Sequence, residues 1–305
     1  MTAGPVEVAA NGFASLLYAI ELSRDGADVT FTEPNLRAGG TFVTESFLTP
    51  FRFNLGPGLV RRPPVPALRV LAPDPLIAVG GATHGRLPIE LRAGPTVLDT
   101  LAASGVDDPA RRSLLVALAV LLGIDPEASG SGSRLAAACQ ALDELIVIEG
   151  GNGVAVAALL DELLSCGGRV TEGLGAPPEQ LQPQMGRLGI CRLFVGLRRT
   201  APARTAFATA AGFDDEHSLL ARLGALREGR LGNPVGFVLD NSHLDPQRAG
   251  DALGSFVWQG VLPVGAGVVR ELYAEAVLAL LGIAASDVLF RLLWLPEETG
   301  ELLAS

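Results

Sequence analysis

The sequence predicts an α/β fold, a Rossmann-like nucleotide-type core interrupted by helix-rich material. Three observations carry that reading. A strand, turn, helix and strand follow one another between residues 6 and 33. A second apolar helix starts behind "GGNG" at 150–153. Elsewhere, helical and extended patterns alternate, with glycines and prolines at their joints.

"VEVA" (6–9) is a short β-type run. "FASLLYAIELSRDG" (13–26) spaces Phe13, Leu16, Leu17 and Ile20 on one helical face, and Gly26 supplies a stop. "DVTFTE" (28–33) closes the βαβ unit. Prolines 57, 63, 64, 66, 73 and 75 mark a turn-rich crossing segment. Residues 96–125 and 133–145 read as helices, with the loop "SGSGS" (129–133) between them. The helix at 154–165 ends at Gly167 and Gly168. A strand at 190–197, a helix at 216–229, a strand at 234–240 and a helix at 270–282 follow.

The 305 residues suffice for one large or two modest domains. Apolar residues make up 49% and charged ones 18%, with a mean hydropathy of +0.37, so the chain is globular and greasy. Net charge is −10, which argues against a nucleic-acid partner. All 23 basic residues are arginine, so lysine Schiff-base chemistry is excluded. Cys139, Cys166 and Cys191 are odd in number and widely spaced, with no metal or disulfide pattern. The start "MTAGPVEV" has no leader pattern, and "LLVALAVLLGI" (114–124) is too short to span a bilayer. A cytoplasmic protein without a transmembrane segment is expected.

The first crossover is the candidate site. A dinucleotide turn has three glycines, for the tight turn, for approach to the pyrophosphate and for helix–sheet packing. Here the stretch reads Ala10-Asn11-Gly12-Phe13-Ala14-Ser15, and only the middle glycine stands. Glu33 ends the second strand, 23 residues after Ala10, where an acid would bind ribose hydroxyl.

Further residues extend the pattern. "EPNLRAGG" (33–40) carries Glu33, Arg37, Gly39 and Gly40, and "FRFNLGPG" (51–58) carries Arg52, Phe53, Leu55, Gly56 and Pro57. With "EGGNGVAVAALLDELL" (149–164) and the S-x-x-D-P element Ser242, Asp245 and Pro246, they resemble the phytoene desaturase-like branch of the FAD-dependent amine oxidase superfamily. Asn54 replaces the acid usual in that family. The C-terminal flavin segment has one candidate, "WQGVLPVGAGVVRELYAEAV" (258–277), with Gly260, Pro263, Gly265 and Gly267 but no acid before Glu271.

The resemblance implies an FAD-binding-type core at 1–80, 146–176 and 251–290. A reduced, discontinuous substrate-type domain at 81–145 and 177–250 and a tail at 291–305 complete it. It also implies an ancestral FAD surface at Gly12, Glu33, Arg37, Gly39 and Gly40. Because the fingerprint is broken, the expected cofactor is none, with FAD as the alternative. The expected activity is binding of a hydrophobic polyene, polyketide or isoprenoid. That protein would promote a non-redox isomerisation or cyclisation, or serve as a subunit beside a second copy or a flavoprotein paralogue. The alternative is a small FAD-dependent desaturase or isomerase.

Other chemistry finds little support. His84, His217 and His243 form no zinc-hydrolase pattern, and no metal site is expected. "DDEH" (214–217) reads as the solvated first turn of a helix, and His243 as a turn residue. Glu45, Asp143 and Glu149 are acids that could donate a proton, yet nothing singles one out, so no catalytic residue is assigned.

Overall fold

Alternation of apolar runs with glycine and proline joints produces fifteen strands and nine α-helices among the described residues of a computed structural model. These are residues 5–9, 13–34, 44–56, 58–61, 68–85, 90–173, 186–199, 206–239, 241–250, 253–301 and 303. The strands are β1 (Val6–Ala9), β2 (Val29–Pro34), β3 (Thr44–Leu48), β4 (Phe51–Asn54), β5 (Val60–Arg61), β6 (Val70–Leu71), β7 (Ile77–Val79) and β8 (Ala82–His84). They continue as β9 (Leu145–Ile148), β10 (Arg169–Gly173), β11 (Leu188–Leu197), β12 (Ala208–Ala211), β13 (Gly236–Leu239), β14 (Gly254–Pro263) and β15 (Val288–Trp294). The helices are α1 (Phe13–Arg24), α2 (Val97–Ala103), α3 (Pro109–Leu121), α4 (Ser131–Gln140), α5 (Asn152–Ser165), α6 (Glu216–Arg227), α7 (Asn241–Leu244), α8 (Arg270–Leu280) and α9 (Pro296–Thr299).

Two units form, residues 1–71 with 146–179 and residues 72–145 with 180–305. In the first, β1, β2 and β10 make a parallel sheet in the order β1-β2-β10, with Val6 opposite Val29. Leu16, Ala19 and Ile20 of α1 share a core with Ala155, Leu159 and Leu163 of α5. Gly26 takes a φ of +86° and ends α1, as its position predicts. The α/β class and the Rossmann-like crossover expected from the sequence are therefore present.

The second unit is built on a seven-stranded sheet, β15-β11-β14-β13-β12-β7-β8. Its spine is a ten-residue antiparallel ladder from Leu188 opposite Pro263 to Leu197 opposite Gly254, buried at every position. The stretch expected as one helix at 96–125 is two, because Gly105 turns left-handed at φ +65° and Asp108 with Pro109 starts a new helix. Asp108 caps α3 at Arg111 N–H, and Thr96 with Asp99 forms a capping box on α2. The helix expected to reach residue 145 stops at Gln140, and the β-branched run Leu145–Ile148 becomes a buried strand.

The far C-terminal residues are not a tail. Val288–Trp294 is an edge strand, Arg192 holds Glu301 with two hydrogen bonds of 2.9 and 2.6 Å, and Ile190 N–H donates to Glu301 O. The strand at Gly254–Pro263, expected with the nucleotide-type core, pairs instead in the second unit.

Gly260 sits in that ladder because a side chain does not fit. A Cβ there would lie 2.5 Å from Trp258 Nε1, 2.6 Å from Tyr273 Oη and 2.9 Å from Cys191 Sγ. Gly260→Ala is expected to destabilise the protein by about 1–3 kcal/mol through overpacking. Urea unfolding measures this as a lowered midpoint with an unchanged slope.

Candidate functional site

Ligands of parallel α/β sheets sit beyond the carboxyl ends of the strands, where helices begin. In the first unit α1 follows β1 and α5 follows β9, so two helix N-termini are candidates for an anion.

The N-terminus of α5 is closed. Gly150 and Gly151, at φ +77° and +99°, turn the chain from β9 into the helix, and Gly151 has no side chain with which to cap it. The donors are met from far along the chain. Asn152 N–H donates to Asn54 Oδ1 and Gly153 N–H donates to Thr44 Oγ1, both at 2.9 Å. The Thr44 hydroxyl in turn donates to Asn54 Oδ1 at 2.9 Å. A Cβ on Gly151 would lie 2.3 Å from Thr44 Oγ1, so the glycine is required for the closure. Asn54 stands where the resembling family has an acid. Its carboxamide oxygen alone accepts both donors, and its buried Nδ2 has no acceptor.

The other helix start differs. The first turn of α1 has no acidic residue. Ser15 takes the place of the packing glycine, yet it is only half-buried, and Leu16, Ala19 and Ile20 are the residues sealed in the core. Glu33 lies next to the end of β2, paired in parallel register with Glu172 of β10. Gly12, Arg37, Gly39 and Gly40, with Ala10 and Asn11, lie outside the described residues, as does the side chain of Glu33. This end therefore has an acid-free helix start and an acid near the end of the adjoining strand.

The proposed C-terminal flavin segment is something else. Residues 258–263 belong to β14, and Tyr273 of α8 accepts hydrogen bonds from Trp258 Nε1 at 3.2 Å and from Cys191 Sγ at 3.5 Å. Burial pushes the Cys191 thiol up to about 11 and holds the Tyr273 phenol well above its ordinary value, so both stay protonated. This is a polar junction inside an apolar core, with no free nucleophile.

The remaining motifs resolve into structure. Asp215 of "DDEH" caps α6 at Ser218 N–H (2.7 Å), and Glu216 binds Arg112 through two bonds of 2.7 Å. Hydrogen bonding to Ser218 holds the Asp215 carboxyl below its usual range. Ser242 bridges both backbone groups of Ser255, and Asp245 pairs with Arg248 at 3.1 Å, both fully buried. Glu45 and Glu149 are half-buried and Asp143 is exposed. The knot at Thr44 and Asn54 was invisible in sequence, since its members lie 98 and 109 residues from their partners.

No protein-family model matches the chain, and no curated protein matches it in sequence. Solved structures match it in fold. An oxidoreductase from Methanosarcina mazei has a TM-score of 0.61 at 12% identity, over 96% of this chain and 88% of that one. Reduced UDP-galactopyranose mutase has a TM-score of 0.60 at 11% identity, over 98% and 82%. Cyclohexylamine oxidase from Brevibacterium oxydans has a TM-score of 0.54 at 15% identity, over 95% and 84%. At such identities the likeness establishes the fold.

These likenesses correct the expectation that the chain has no cofactor. The solved structures that share the fold include an oxidoreductase and an amine oxidase, which points towards FAD rather than no cofactor. No helix among the described residues is long and apolar enough to cross a membrane.

Asn54→Leu leaves Asn152 N–H and the Thr44 hydroxyl without their acceptor. It is expected to cost about 1–3 kcal/mol, read by urea unfolding, whereas Thr44→Ser keeps the hydroxyl and costs less.

Proposed function

We propose that this chain is a small FAD-dependent oxidoreductase with a variant dinucleotide fingerprint. The observation that carries this reading is the parallel β1–α1–β2 crossover, with its acid-free helix start and Glu33 at the strand end. The fold likeness to an oxidoreductase and an amine oxidase supports it.

In this reading the backbone at Gly12 and the start of α1 hold the pyrophosphate, where the helix dipole favours negative charge. Glu33 accepts a ribose hydroxyl, and Arg37, Gly39 and Gly40 form the next part of the cofactor surface. If bound, FAD would supply the hydride or electron transfer. The protein's own part is binding, orientation and exclusion of water. The substrate we infer is hydrophobic and polyene- or isoprenoid-like, on the strength of the mean hydropathy of +0.37 and the desaturase-like motifs.

Protein purified natively is expected to carry flavin absorbance, and stripped protein to rebind FAD in a fluorescence titration. Glu33→Ala is expected to weaken FAD binding by about 10–100-fold, the equivalent of one hydrogen bond to a charged group, with the melting temperature of the stripped protein unchanged. Wild-type protein that neither carries nor takes up flavin overturns the reading.

A further inference from the structure

The outermost hairpin of the seven-stranded sheet is β7–β8, and β8 is the edge strand. β7 is sealed in the core along its whole length, while β8 is at best half-buried. Three residues of β8 hold the edge, and His84 is the last of them, opposite Ile77, with its carbonyl accepting from Leu76 N–H at 2.8 Å. Gly80 and Gly81 turn the hairpin at φ +53° and +84°, and a Cβ on Gly80 would lie 2.4 Å from Asp214 O. The tip of the hairpin is thus seated against backbone and its base depends on residue 84.

The His84 ring is poorly provided for. Its Nε2 is shut off from solvent and has no hydrogen-bond partner. α3 packs on both strands of the hairpin and brings the Arg111 guanidinium to bear on the ring. Asp74, from the segment before β7, is the one described acid that acts on it. Ile77–Val79 and Ala82–Thr83 contribute no charge. A neutral imidazole tolerates this site. A protonated one adds a charged donor with no acceptor, beside a fixed cation.

We propose that His84 is an acid-operated latch on the edge strand, whose protonation swings the ring out towards Asp74 and frees β8 while the rest of the sheet stays paired. Burial first, and Arg111 second, lower the imidazole below its ordinary 6.5, and Asp74 only partly opposes them. The open strand therefore binds the proton more readily than the closed one. The hold on β8 is complete above about pH 6.5 and is lost as pH falls through that value towards the lowered one.

Amide hydrogen exchange, expressed as protection factors, tests this between about pH 7.5 and about pH 5.5, the range in which histidine changes charge. Protection of the Leu76 amide and the residue 82–84 amides is expected to fall about ten-fold, and that of Trp258 in β14 to stay constant. His84→Gln is expected to abolish the pH dependence. Arg111→Gln, at an exposed position on α3, is expected to make it shallower. Hairpin protection that is flat with pH in the wild type, equally steep in His84→Gln or unaltered in Arg111→Gln overturns the proposal.

Discussion

A helix that starts on two glycines cannot cap itself, and its first amides still need acceptors. In the first unit Asn54 and Thr44 meet that need for α5 from a separate hairpin, through hydrogen bonds that all measure 2.9 Å. This constraint fixes much else. It demands glycine at 151, ties β3 and β4 to the start of α5, and occupies the first amides of that helix. An anion has no donors left there. In the proposed reading the phosphate takes the start of α1, at the crossover whose second strand carries Glu33.

The second unit solves a different problem, that of burying polar groups inside a greasy sheet. Its long ladder is buried along its whole length, and its larger polar side chains find partners. Gln259 donates to the carbonyl of Leu121 at 2.7 Å, Trp258 and Cys191 converge on Tyr273, and Arg192 is held by both oxygens of Glu301. Arg192 is 2% exposed, and removing its partner would strand a buried charge. These contacts are why residues near the C-terminus belong to the sheet.

The nucleotide fingerprint illustrates how a motif can mislead by what it lacks. Two of three glycines are missing, and each loss has a stated steric meaning. The meaning depends on where the side chain goes. Ser15 is half-buried, and Leu16, Ala19 and Ile20 of the same helix are sealed in the core. A departure from a pattern becomes a loss of function only when the substituted atoms occupy the contact. The same caution applies to the glycines at 260, 265 and 267, which look like a cofactor turn in sequence. Gly260 in fact makes room for a tryptophan, a tyrosine and a cysteine, while Gly265 and Gly267 turn left-handed at φ +73° and +61° ahead of α8.

The sequence by itself determined the α/β class, the opening crossover, the stop at Gly26 and the acidic cap of α6, because periodicity, glycine conformation and capping act within a few residues. It could not reveal β14 and β15, which pair with strands far away in the chain. Nor could it show that Asn54 serves α5. Those depend on which distant atoms arrive within about 3 Å, the reach of a hydrogen bond, and only the folded chain brings them together.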